Sequence, residues 1–109
     1  HAVGDAALRA TARLLASQVR HTDILARFGG EEFVIVLVET DDDAARRGCE
    51  KLRAAGANHG WTAIHPGLSL TLSIGLCADT SVPSHDRMLA MADRNLYSAK
   101  AAGRNRVVG

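Results

Sequence analysis

At 109 residues the chain has room for one domain with a single modest core. Hydrophobic residues make up 47% and charged ones 23%, an ordinary globular balance, but aromatics reach only 4%, so that core must be aliphatic. The net charge of +1, with no arginine-rich face interleaved with aromatics, argues against a nucleic acid partner, and no run approaches the roughly 18 apolar residues of a membrane span.

In chain order, Val3 to Val19 carries helical periodicity. Val3, Ala7, Leu8, Ala12, Leu15 and Val19 fall on one stripe, with Arg9, Arg13 and Gln18 away from it. Asp5 stands where an N-cap or first-turn acid supports a helix. After the polar connection Arg20-His21-Thr22-Asp23, the strands Ile24–Phe28 and Phe33–Val38 flank Gly29-Gly30-Glu31-Glu32. Gly-Gly accepts the positive φ of a tight hairpin turn, which lifts both acids to its tip. The uninterrupted, β-branched run Phe33–Val38 predicts a strand buried on both faces.

Thr40-Asp41-Asp42-Asp43 predicts a helix start, and the helix should end near Gly56. Residues 58–67, with Asn58, Gly60, Pro66 and Gly67, read as a loop in which Trp61 shields an edge of the core. From Leu68 to Cys77, Leu70, Leu72, Ile74 and Leu76 alternate with Ser69, Thr71, Ser73 and Gly75, the pattern of a half-buried strand. Ser84 predicts an N-cap with Asp86 behind it, for a last helix that turns Met88, Met91, Ala92, Leu96 and Ala99 inward and ends at Gly103. Arg106–Val108 reads as a short final strand. The order is α-β-β-α-β-α-β, an α+β class in which helices cover a sheet that includes an antiparallel hairpin. Cys49 and Cys77 lack CxxC spacing and fit a reducing compartment, and the five histidines form no HExxH zinc signature.

Several segments together resemble one family. Arg27-Phe28-Gly29-Gly30-Glu31-Glu32-Phe33 is similar to the signature of GGDEF domains, the diguanylate cyclase family, in its GGEEF form. His1-Ala2-Val3-Gly4-Asp5-Ala6-Ala7-Leu8 resembles the family's GHxxGDxxL segment, and Leu72-Ser73-Ile74-Gly75 its SIG strand. Ala92 to Lys100, followed by Gly103-Arg104-Asn105, resembles the ADxALYxAKxxGRN ending. The resemblance covers all 109 residues, in order.

It implies a nucleotidyl-cyclase-like fold, a ferredoxin-like sheet akin to the polymerase palm and flanked by helices. It also implies that residues 1–109 are a partial domain. The family's first strand and its FKxxND-type segment, with a further metal-binding aspartate, are not in this chain. The implied reaction joins two GTP molecules into cyclic di-GMP and pyrophosphate, with Mg²⁺ (or Mn²⁺) as cofactor. Glu31 and Glu32 resemble the acids that bind metal and assist the attacking hydroxyl, while Gly29 and Gly30 leave room for the triphosphate. Lys100 and Arg104 match triphosphate contacts, although cations near a helix C-terminus are also favoured by its dipole. Asp5 matches the guanine-edge acceptor, and Leu8 lines that pocket.

Arg20-His21-Thr22-Asp23 is an RxxD with five residues between Asp23 and Gly29, the spacing of the family's product-inhibition site. There the arginine grips cyclic di-GMP and the aspartate takes a guanine edge; Lys51 or Arg53 on the following helix is a candidate to assist. The resemblance further implies a homodimer for activity, fusion to a sensory or regulatory domain, a cytoplasmic location and no membrane contact by this domain. This chain alone is expected to be inactive. The alternative is a degenerate module that serves as a receptor for cyclic di-GMP or GTP.

Overall fold

The computed structural model describes residues 2–109, so His1 of the first motif lies outside the described residues. In order, the elements are α1 (Ala2–Gln18), β1 (Ile24–Gly29), β2 (Glu32–Val36), α2 (Asp42–Asn58), a 3₁₀ turn (Trp61–Ala63), β3 (Ile74–Gly75), α3 (His85–Ala101) and β4 (Val107–Val108). This is the α-β-β-α-β-α-β order read from the sequence, with one 3₁₀ turn added inside the predicted 58–67 loop. The chain divides into two compact units. One is residues through Thr40 with His59–Ser69, and the other is Asp41–Asn58 with Leu70–Gly109.

In the first unit, α1 buries Ala10, Thr11 and Leu15. The predicted stripe holds from Ala7 to Val19, with Leu15 buried and Ala7, Leu8, Ala12 and Val19 half-buried, but Val3 is exposed and Ala10 and Thr11 are inside as well. Thr11 is tolerated there because its hydroxyl donates to the Ala7 carbonyl at 2.8 Å, which satisfies the buried polar group locally. Trp61 is buried, with His59 set edge-on to its ring at 4.4 Å between centroids.

β1 and β2 pair antiparallel, from Ile24 opposite Val36 to Arg27 opposite Phe33 and Gly29 opposite Glu32. Phe28 is the extra residue of a bulge and is exposed. The expectation that β2 is buried on both faces does not hold. Phe33, Val34 and Ile35 are half-buried, and the facing pair Ile24 and Val36 is 58% and 48% exposed. Among the described residues the hairpin ladder has only two strands, so an apolar run that reads as a central strand keeps an unpaired edge. β2 also stops at Val36 rather than Val38. The Val38 amide donates to the Asp23 carboxylate and its carbonyl accepts from Arg20, which removes both groups from the ladder.

In the second unit, the Asp41 carboxylate accepts from the Ala44 amide at 2.7 Å, capping α2 as the acidic run predicts. The helix continues two residues past Gly56. That glycine is buried where an added Cβ would lie 2.6 Å from Leu72 Cγ, so it serves close packing rather than termination. The Ser84 hydroxyl caps α3 by accepting from the Arg87 amide at 3.2 Å, and Gly103 follows the helix at φ +120°.

β3 and β4 pair in parallel, Ile74 with Val107 and Gly75 with Val108, and α3 packs on both. The predicted strand Leu68–Cys77 thus shrinks to two ladder residues. Its alternation survives in part, with Leu76 buried and Ser69 and Thr71 exposed. A ladder needs a partner, and β4 offers only two residues. Instead of one sheet, the described residues form two separate two-stranded sheets.

Candidate nucleotide and metal site

The hairpin tip is built by glycine. Gly29 and Gly30 hold φ of +125° and +53°, values that L-residues rarely adopt, and an added Cβ at either would meet nothing within 4 Å. With Gly29 paired to Glu32, Gly30 and Glu31 form a two-residue connection with the positive φ at its first position, where short hairpins place glycine. The Arg27 guanidinium fastens the turn by donating to the Gly30 carbonyl from Nε at 2.9 Å and from Nη2 at 2.6 Å. That cation is spent on the backbone, not on the acids. Glu31 is exposed and Glu32 half-buried, and among the described residues neither carboxylate has an ion-pair or hydrogen-bond partner.

Two oxygen-donor side chains without a competing cation suit a hard divalent ion such as Mg²⁺, which takes one or two carboxylates and fills its remaining positions with water and phosphate. No cluster of three or more metal-binding side chains occurs among the described residues.

On α1, Asp5 is an exposed first-turn acid and Leu8 is half-buried. At the base of the hairpin, Arg20 and Asp23 are in contact. Arg20 Nη2 donates to Asp23 Oδ1 at 2.9 Å, Nε to Oδ2 at 3.3 Å, and the Arg20 amide to Oδ2 at 2.9 Å. The same Nη2 reaches the Val38 carbonyl at 2.5 Å and the Thr40 hydroxyl at 2.8 Å. Between those two anchors Glu39 sits at φ +49°. The RxxD pair therefore joins the entry of β1 to the exit of β2. The Asp23 side chain is only 2% exposed, and hydrogen bonding to Arg20 holds its pKa down at about 2. Arg20, half-exposed, has its own pKa raised by the same bond, and its Nη1 makes no hydrogen bond among the described residues.

In the second unit, Lys100 occupies the last turn of α3, half-buried, and Arg104 follows on the exposed segment after it. Among the described residues neither cation has a side-chain partner. Gly103, Arg104 and Asn105 are three consecutive residues at positive φ, +120°, +65° and +48°. For the two non-glycine residues this conformation costs about 1–2 kcal/mol each, somewhat less for asparagine. Lys51 is exposed and has no ion-pair partner among the described residues, whereas Arg53 binds Glu50 at 2.6 Å and the Asn105 side-chain oxygen at 2.8 Å.

Within the first unit, then, the structure pairs Arg20 with Asp23 and raises Glu31 and Glu32 on the same hairpin. Within the second, Lys100 and Arg104 share the end of α3, and Arg53 is already committed to other partners. Sequence reasoning missed the Arg27 clamp and the anchoring of Arg20 by Val38 and Thr40. It also missed the left-handed Arg104-Asn105 pair, for which an asparagine following Gly-Arg just past a helix end was the available signal.

Comparison with known proteins agrees with this geometry. The family model described as diguanylate cyclase, GGDEF domain, matches residues 1–106. The response regulator PleD of Caulobacter vibrioides is 40% identical over 112 residues, covering all of this chain and 25% of that protein. The diguanylate cyclase DosC of Escherichia coli K12 is 36% identical over 108 residues, covering 98% of this chain and 24% of that protein. The chain thus spans about a quarter of the length of these curated relatives.

Among solved structures, the GGDEF domain of DgcB from Caulobacter crescentus, in complex with c-di-GMP, superposes with a TM-score of 0.88 at 25% identity, over 99% of this chain and 65% of that one. The active GGEEF domain of a diguanylate cyclase from Vibrio cholerae gives 0.87 at 30% identity, over 99% and 69%. With a family match over nearly its whole length and the Gly29-Gly30-Glu31-Glu32 hairpin formed as the signature requires, this chain belongs to the diguanylate cyclase GGDEF domain family.

Proposed function

We propose that the chain is the larger part of a diguanylate cyclase domain within a longer protein, acting on GTP. The observation that carries this reading is the pair of carboxylates, Glu31 and Glu32, without a partner among the described residues, on a glycine-built tip whose neighbouring arginine is turned onto the backbone. In the reaction the 3′-hydroxyl of one GTP attacks the α-phosphorus of another, a P–O bond forms, and pyrophosphate leaves. Glu31 and Glu32 would hold Mg²⁺, which offsets phosphate charge and lowers the pKa of the attacking hydroxyl. One of the two acids takes up the proton that the hydroxyl gives away. Lys100 and Arg104, whose side-chain charges have no partner among the described residues, bind the triphosphate; Asp5 accepts from the guanine edge, and Leu8 packs beside it.

Each domain supplies one GTP, so activity needs two copies meeting across a two-fold axis. A sensory or regulatory domain elsewhere in the protein would control that meeting. The 109-residue chain alone, with only two acids for the metal, should turn over little GTP. Incubation with GTP and Mg²⁺, followed by assay for cyclic di-GMP, tests this; turnover near that of a complete domain refutes it.

A second reading is a receptor for cyclic di-GMP, which the Arg20–Asp23 pair supports. Arg20 is half-exposed and keeps its Nη1 open, so a planar anionic ligand has a donor to meet. In a cyclase the same contact gives feedback inhibition, and of the two candidate assistants Arg53 is already engaged by Glu50 and Asn105. Titration calorimetry with cyclic di-GMP on wild type and Arg20→Ala decides it. Equal binding by both proteins removes the site.

A further inference from the structure

We infer that Asn105 and Arg53 are positioning residues for Arg104, and that they set the affinity of the protein for phosphate. This rests on the reading of Arg104 as a triphosphate contact. The segment after α3 is held in a conformation that its sequence alone does not favour, with Arg104 and Asn105 both at left-handed φ. Such residues persist where their surroundings over-determine them, and here each anchor is visible.

The Arg104 amide donates to the Ala99 carbonyl at 2.9 Å, closing the helix end. The Asn105 amide donates to the Ser73 hydroxyl at 3.2 Å, just ahead of β3. Arg53, fixed from the other side by Glu50, donates from Nη1 to the Asn105 side-chain oxygen at 2.8 Å. Arg106 donates from Nε to the Arg104 carbonyl at 3.0 Å. Two arginines are thus consumed in holding the segment, while the guanidinium of Arg104 has no partner among the described residues. A segment fixed at its backbone, with one cation left over and exposed, presents that cation in a set direction. The ordering cost is met before an anion arrives, so affinity depends on the anchors as well as on the charge.

The test compares four variants of the full-length protein: Arg104→Gln, Asn105→Gly, Asn105→Asp and Arg53→Gln. Binding of a non-reacting GTP analogue is measured beside binding of guanosine, which has no phosphate, and beside Tm. Glycine accepts the left-handed φ, so Asn105→Gly removes the anchor without adding backbone strain.

Asn105→Gly and Arg53→Gln should each weaken the GTP analogue by about fivefold, the scale of one net hydrogen bond, with guanosine binding unchanged. Asn105→Asp keeps both the acceptor and the tolerance for left-handed φ, so it should stay within about twofold of wild type. The double variant Arg53→Gln/Asn105→Gly should be no weaker than either single one, because both remove the same contact.

Wild-type affinity in Asn105→Gly and Arg53→Gln, alongside a loss in Arg104→Gln, overturns the inference while leaving the triphosphate reading intact. Equal losses for guanosine and the GTP analogue also overturn it, since they report general disruption. Wild-type affinity in Arg104→Gln overturns the triphosphate reading, and the inference with it.

Discussion

The hairpin tip and the seam between β3 and α3 both depend on glycine, for opposite reasons. At the tip, Gly29 and Gly30 are in open space and are needed for their positive φ. In the seam, Gly75 has no unusual φ, but a Cβ there would overlap the Ala92 carbonyl oxygen and the Leu96 amide nitrogen, with Leu96 Cα at 2.8 Å. One region uses glycine to expose two charges. The other uses it to bring a strand against the backbone of a helix, where Asn95 also donates to the Leu76 carbonyl at 2.8 Å. The seam maintains the fold, and the tip carries two carboxylates without a partner among the described residues. This difference tells which substitutions should cost stability and which should cost only function.

Gly75→Ala should cost far more stability than a methyl added in open space. The clash is with main-chain atoms of α3, which cannot rotate away as a side chain can, so helix and strand must separate. A loss beyond about 4 kcal/mol is expected, enough to consume most of a domain's stability. Urea unfolding measures it, and a midpoint within error of wild type would show that the seam is looser than described. Glu32→Gln should behave in the opposite way. The carboxylate has no partner among the described residues, so stability should change by no more than about 0.5 kcal/mol. Cyclic di-GMP production by the full-length protein should fall by roughly a hundredfold or more, the scale of removing one group that stabilises developing charge. A parallel fall in Tm and turnover would mean that Glu32 is structural.

The sequence made the tip more legible than the seam. Gly-Gly followed by two acids and a β-branched run carries a turn, a strand and a charge in seven letters, and the structure has each of them. Ser84 and the aspartates at 41–43 announced their helices because capping is a local hydrogen bond between near neighbours. What stayed hidden depends on distant partners. Ser69 to Ser73 alternates as a strand should, but among the described residues no strand pairs with it. Gly75 reads as one more small residue in that alternation, and nothing nearby in sequence tells that Ala92 and Leu96 press against it. Val38 reads as strand until Asp23 and Arg20 take its backbone groups. Among the candidate site residues, the motif named Glu31, Glu32, Lys100 and Arg104; that their charges lack partners among the described residues needed coordinates.

The base of the hairpin sharpens the comparison, because it holds a carboxylate treated in the contrary way to those at the tip. Asp23 accepts from Arg20 and from the Val38 amide, and its pKa is lowered from the usual 3.8 to about 2, chiefly by the hydrogen bond from Arg20. A folded-state pKa below the unfolded value means that the ionised form favours folding. That contribution is present in full above the unfolded value near 4 and is lost as pH falls through about 2. The wild-type protein should therefore lose Tm between pH 4 and pH 2 more steeply than Asp23→Asn, which has no proton to take up at that position. Above pH 5 the variant should be the less stable of the two, since an amide offers one acceptor oxygen where the carboxylate uses two. Parallel Tm curves across that acid range would show that the Arg20–Asp23 contact contributes nothing to folding, leaving both side chains as free for a ligand as Glu31 and Glu32.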